Sequence, residues 1–172
     1  MLKGRQRVLV VGCPGGGKST LSVELGQRLD LPVIHLDQLH WQPGWEKLPK
    51  EPWLATVRAL IDEPRWILDG NYRGSMAMRM ERCDAVLFLD LPRWQCVYGV
   101  LRRFALGRLV PRAGMPDDCR EQLTWSFLKF VWRYPEDDVP RVEALLEALP
   151  PSVEVVRIRS RAELRELLGT LA

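Results

Sequence analysis

The sequence predicts an α/β fold built on a mostly parallel sheet. Short apolar, β-branched runs alternate with segments of helical period along the whole chain, and glycine or proline closes several of the runs. Strands separated by helices are joined by right-handed crossovers, which cover both faces of the sheet. At 172 residues the chain is long enough for a real core, and residues 1–172 read as a single domain.

The first run, "RVLVVG" (Arg7–Gly12), suits a strand buried on both faces. A helix follows its turn, because Leu21, Leu25 and Leu29 recur four apart and lay one apolar stripe on the sheet. "LPVIHLD" predicts a second strand ending at Asp37, "KEPWLATVRALI" a helix, and "RWILDG" a third strand. "YRGSMAMRMERC" reads as a short helix, and "DAVLFLDLP" as a fourth strand closed by Pro92. "RWQCVYGVLRRFALGR" is helical, "LVPRAGMPDD" a loop, and "CREQLTWSFLKFVWRY" helical again. "VEVVRIRS" predicts the last strand and "RAELRELLGTLA" a C-terminal helix.

Hydrophobic residues make up 47% and charged residues 27%, as in ordinary globular domains. The net charge of +3 suits phosphate-bearing ligands and is too small to argue for nucleic acid by itself. The four cysteines (Cys13, Cys83, Cys96 and Cys119) show neither CxxC pairing nor metal-ligand spacing. They read as free thiols in a reducing, cytoplasmic setting. No apolar run approaches the roughly 20 residues that span a bilayer, so no membrane role is expected. The N-terminus runs straight into a strand without a signal-peptide pattern.

The chemistry is concentrated in "GCPGGGKST". Gly12-x-x-x-x-Gly17-Lys18-Ser19 matches a phosphate-binding loop in full, after a predicted strand and before a predicted helix. Gly12, Pro14, Gly15, Gly16 and Gly17 let successive backbone N–H groups turn inward around a β-phosphate at a helix N-terminus. Lys18 supplies charge to the β- and γ-phosphates, Ser19 offers its hydroxyl to Mg²⁺, and Thr20 reaches the α-phosphate. ATP and Mg²⁺ are the expected cofactors.

"GCPGGGKST", "WILDGNYR" and "CDAVLFLDLP" follow one another in the order and spacing of adenylate kinase-like P-loop kinases, and the chain resembles that group over nearly its whole length. With "HLDQLHWQPGW" and a tryptophan-rich stretch near the end, it looks most like the DNA topology modulation (FlaR-related) proteins. The resemblance implies a three-layer P-loop NTPase fold, a five-stranded parallel sheet in the order 2-3-1-4-5, and an arginine-bearing lid, placed at 107–119. It also implies that Asp69 stands beside the Mg²⁺ held by Ser19, through water, and that Arg73 points into the acceptor site. Asn71-Tyr72 stands where adenylate kinases carry an aromatic residue and proline. The plainer readings are a turn cap for Asp69 and a solvated helix start for Arg73.

Asp37 closes the second predicted strand, and in doubly wound sheets the carboxyl ends of strands face the ligand crevice. It is therefore a candidate to accept a hydroxyl proton or help hold Mg²⁺, with a turn cap as the alternative. Asp90 also ends a strand, and because it precedes Leu91-Pro92 a capping or hinge role weighs as much as a functional one; His35 and His40 read as structural residues. Arg102, Arg103, Arg108, Arg112, Arg120 and Arg133 surround the lid, where arginine can neutralise charge on a moving phosphoryl group. Matching to the family helix makes Arg103 the catalytic candidate among them. Trp41 and Trp45 flank "QPG" beyond Asp37, as an aromatic wall for substrate or a hydrophobic plug. Trp125 and Trp132, seven apart on one predicted helix, are expected in the core.

The reading is a kinase that passes the γ-phosphoryl of ATP to a small acceptor, a nucleoside or nucleotide first. Two alternatives stand beside it: a gluconate- or shikimate-type small-metabolite kinase, and an ATP-gated regulator acting on DNA. Against the latter, the sequence has no helix-turn-helix signature and little net charge. It also lacks the "NKxD" segment of GTPases.

Overall fold

The computed structural model describes residues 2–107 and 123–171. The expected lid at 107–119 therefore lies, apart from Gly107, outside the described residues, as do Arg108, Arg112 and Arg120. Along the chain run β1 (Arg7–Gly12), α1 (Lys18–Leu29), β2 (Val33–His35), α2 (Leu36–His40), β3 (Trp41–Gln42), β4 (Glu46–Lys47), α3 (Lys50–Asp62) and β5 (Trp66–Asp69). They are followed by α4 (Arg73–Met80), β6 (Ala85–Leu89), α5 (Arg93–Gly107), α6 (Trp125–Asp137), α7 (Val139–Glu147), β7 (Glu154–Ile158) and α8 (Arg161–Thr170). The main sheet is parallel throughout, in the order β2-β5-β1-β6-β7. Counting its strands along the chain, this is 2-3-1-4-5. β3 and β4 form a separate two-residue antiparallel hairpin.

Alternate strand residues feed two cores, one on each face. Leu9, Val11, Trp66, Leu68, Val86 and Phe88 pack with Trp53 and Val57 of α3, Met76 and Met80 of α4, and residues of α5 to α7. Val8, Val10, Ile67, Leu87 and Leu89 pack with Leu21 and Leu25 of α1 and Leu167 of α8. The central strands β1, β5 and β6 are buried along nearly their whole length, which is why they read as continuous apolar runs. Truncating one such residue, Phe88→Ala for example, costs about 3–5 kcal/mol by loss of transfer energy and an unfilled cavity.

Three expectations are corrected. The second strand ends at His35, whose register partner Asp69 is the last residue of β5. With no neighbour beyond that pair, the chain turns at fully buried Leu36 into α2, so Asp37 sits in a helical first turn. α7 occupies a stretch to which the sequence reading assigned no element; Pro140 in its first turn is tolerated because that N–H has no helical partner. Trp125 and Trp132 are not core residues: they are 82% and 51% exposed, while Val131 and Tyr134 bury the inner face of α6. Trp132 packs instead beneath the Arg93 guanidinium, 5.2 Å from its ring centre.

Candidate nucleotide and acceptor site

The carboxyl ends of β1, β2 and β5 open into one cleft of about 2130 Å³. Single small-ligand sites usually measure roughly 300–1,000 Å³, so there is room for two ligands side by side. At one end lies the glycine turn. Gly12, Gly15 and Gly17 have φ of +141°, +81° and +94°, which L side chains rarely adopt. A Cβ at Gly12 would fall on the Leu89 carbonyl, and one at Gly15 on the carbonyl of Cys96 in α5. The loop is thus wedged against β6 and α5 while its open side faces the cleft.

Lys18 Nζ donates to the carbonyls of Gly12 at 2.9 Å and Cys13 at 3.3 Å, which holds the ammonium over the loop. Asp69, 5% exposed, hydrogen-bonds His35 Nδ1 at 2.8 Å. Burial alone would raise its pKa. The His35 bond, the Lys18 charge and the Ser19 hydroxyl outweigh it and hold the carboxyl below its usual range. Ser19 and Asp69 therefore present a hydroxyl and an ionised carboxylate together at the foot of the phosphate loop, a donor set that fits Mg²⁺. No cluster of three or more His, Cys, Asp or Glu side chains that could hold a metal occurs among the described residues. A cation here would rely on phosphate and water for its other ligands.

Two residues that the sequence reading did not single out complete this end. Arg161, at the start of α8, places Nη1 2.9 Å from the position a Cβ would take on Gly17 and lines the cleft. Asn71 bridges to the loop with its amide, Oδ1 accepting from Gly12 N–H at 3.0 Å and Nδ2 donating to Gly12 O at 2.9 Å. "RSRAEL" and "DGNYR" carry these residues in plain view, but neither spacing says what the side chains meet.

Asp37, which also lines the cleft, accepts a 2.6 Å hydrogen bond from the Tyr72 hydroxyl. The Tyr72 ring is held by His40 and Trp53, at centroid distances of 4.6 and 4.8 Å. Burial, followed by the Lys47 charge, lowers the pKa of His40, which favours a neutral ring packed among aromatics. Trp41 lines the cleft edge-on to Trp45, with Lys47 Nζ 5.8 Å from its ring centre. Arg103 lines the same cleft from α5.

Arg73 does not line this cleft, and its expected place there is corrected. Its guanidinium grips both oxygens of Asp138, beside a separate cavity of about 120 Å³ lined also by Met76 and Val142. The Asp138 side chain is 5% exposed, and a buried carboxylate needs a cation. It sits where α6 passes into α7, the junction that the sequence reading did not contain. Asp90 is likewise a structural carboxylate, accepting from Arg157 at 2.7 and 2.9 Å.

Among solved structures, the chain is similar to a gluconokinase from Sinorhizobium meliloti 1021, at 19% identity and a TM-score of 0.54, covering 98% of this chain and 93% of that one. It is also similar to the shikimate kinase from Bacteroides thetaiotaomicron, at 14% identity and a TM-score of 0.56, covering 98% and 97%. The chain has the fold of the P-loop kinases. No family model matches the chain, and neither does any curated protein, so the narrower likeness to topology modulation proteins rests on sequence motifs alone. No helix among the described residues is long and apolar enough to cross a membrane.

Proposed function

We propose that this protein is an ATP- and Mg²⁺-dependent phosphotransferase that moves the γ-phosphoryl group to a hydroxyl of a small acceptor of the nucleoside class. The observation that carries the reading is one continuous cleft lined by Lys18, Ser19 and Asp69 together with Asp37. Lys18 and the loop N–H groups bind the β- and γ-phosphates, and Arg161 adds charge from the far side of Gly17. Mg²⁺, bound by Ser19 with Asp69 acting through water, would neutralise charge on the transferred group. Arg103 supplies positive charge to offset the negative charge on the equatorial oxygens. Asp37 receives the acceptor hydroxyl and its proton, with its carboxylate positioned by the Tyr72 hydroxyl on Oδ1.

One feature points to a base-bearing acceptor and a second favours a nucleoside over a nucleotide. Trp41 and Trp45 offer a face for a base, and Arg73, the residue that would meet an acceptor phosphate, is engaged by Asp138. A second reading, phosphorylation of a sugar acid, is favoured by Lys47, Arg102 and Arg103 around the same cleft. A screen of ATP consumption over nucleosides, nucleoside monophosphates and sugar acids tests both. Turnover with nucleosides alone supports the first reading, and turnover with sugar acids the second. If no acceptor raises ATP consumption above background hydrolysis, the kinase assignment fails and an ATP-gated regulatory role takes its place.

A further inference from the structure

β5 leaves the sheet at Asp69, yet the ladder beside β1 does not end there. Gly70 N–H still donates to Val10 O at 3.2 Å, and one step further the Asn71 side chain takes the place of a backbone. Its amide gives Gly12 both an acceptor and a donor, as a neighbouring strand would. Gly12 is the residue at which the phosphate loop begins, and its φ of +141° has no side chain to hold it. Its carbonyl is also one of the two that receive Lys18 Nζ. The Asn71 amide and the Lys18 ammonium thus converge on one oxygen.

The turn that presents Asn71 is itself held from below. Arg79 is fully buried and spends its guanidinium on backbone carbonyls: Gly70 at 2.8 Å, Asn71, Tyr72 at 3.3 Å and Ser75 at 3.2 Å. Burial draws its pKa down to about 10, so it stays a cation at neutral pH. A buried charge is costly, and this one is repaid by converging carbonyls of a turn that contains Gly70 at φ +140° and Tyr72 at φ +41°. Left-handed backbone at a non-glycine residue persists where the surroundings dictate it.

We propose that Asn71 is a positioning residue for the nucleotide, acting through the backbone of Gly12, and that Arg79 positions Asn71. The inference rests on the reading of Gly12–Thr20 as an ATP site. It extends that reading to side chains that touch neither phosphate nor metal. Without the amide clasp, the N–H of buried Gly12 loses the Asn71 acceptor, its carbonyl keeps Lys18 but loses the amide donor, and the first peptide of the loop is freer to turn. The N–H groups that should converge on phosphate then do so only part of the time, and affinity falls in proportion to the competent fraction.

The test compares wild type, Asn71→Leu, Asn71→Ser and Arg79→Lys in three measurements: Mg-ATP affinity by titration with a fluorescent ATP analogue, thermal melting, and hydrogen exchange of the Gly12 amide. Asn71→Leu is expected to melt cooperatively, to lose about tenfold or more in Mg-ATP affinity, and to exchange the Gly12 amide faster than wild type. Arg79→Lys should shift affinity and exchange in the same direction by a smaller factor, because an ammonium cannot reach the same carbonyls together. A merely structural role would lower the melting temperature and leave the affinity of the folded protein unchanged; that result overturns the proposal. So does a Gly12 amide that stays protected in the variants. If Asn71→Leu does not fold, Asn71→Ser is judged by the same outcomes. Wild type that fails to bind the ATP analogue overturns the ATP site itself, whereas wild type that binds alongside an equally tight Asn71 variant overturns only this inference.

Discussion

The Tyr72 hydroxyl donates to Asp37 Oδ1 at 2.6 Å, joining the turn after β5 to the first turn of α2 at the wall of the cleft. This bond fixes the orientation of the Asp37 carboxylate. Tyr72→Phe removes it without changing the ring's packing on His40 and Trp53. The expected outcome is a loss of about tenfold in kcat/KM for the acceptor with the Michaelis constant for ATP unchanged. Steady-state kinetics with both substrates varied decides it, and an equal effect on both would place Tyr72 in the general scaffold.

Asp69→Asn keeps the shape of the side chain and removes its charge. Turnover should fall by about 100-fold or more, because a neutral amide cannot order the water around a cation held by Ser19. Affinity for ATP without Mg²⁺ should stay within about threefold of wild type, since the phosphates meet the loop and Lys18 rather than Asp69. Parallel losses in both measurements would make Asp69 a structural partner of His35 and nothing more.

Arg73→Ala should cost stability and spare the acceptor. Its removal strands Asp138, which is 5% exposed, but Arg73 itself is half exposed at 50% and water can partly replace it. The loss is therefore set at about 1–3 kcal/mol, below that of a fully buried pair. Urea melts and acceptor kinetics check the two halves. An acceptor Michaelis constant that rises while stability holds would return Arg73 to the acceptor site.

The pH dependence of stability has a clear contributor in Asp84. Burial pushes its pKa up, but the Arg7 guanidinium at 2.8 Å and the backbone N–H groups of Gln6 and Arg7 outweigh this and hold it below the ordinary value. The unfolded chain therefore takes up the proton first as the pH falls. The contribution is fully present above the unfolded pKa of about 3.9 and is lost as the pH drops through the folded value. Asp84→Asn should cost about 1–2 kcal/mol at pH 7, and the gap to wild type should shrink toward zero in strong acid. Equal gaps at pH 7 and near the acid limit would sink this account.

What the sequence by itself determined is local. The phosphate loop was legible because backbone-only chemistry demands glycine at given spacings, and Gly12, Gly15 and Gly17 do take the left-handed conformations that spacing implies. The buried strands were legible because two covered faces require apolar residues at every position, as in "VLVV" and "AVLFL". The order of the sheet came with the family resemblance, and the register brings His35 level with Asp69. Only the tertiary structure decided the partners of long polar side chains. Arg73 and Arg79 lie six residues apart on α4, and nothing local separates one that grips Asp138, 65 positions away, from one that is sealed beneath the Asn71 turn. A guanidinium reaches several ångströms and goes wherever a buried acceptor lacks a donor, and the folded chain alone sets where those acceptors lie.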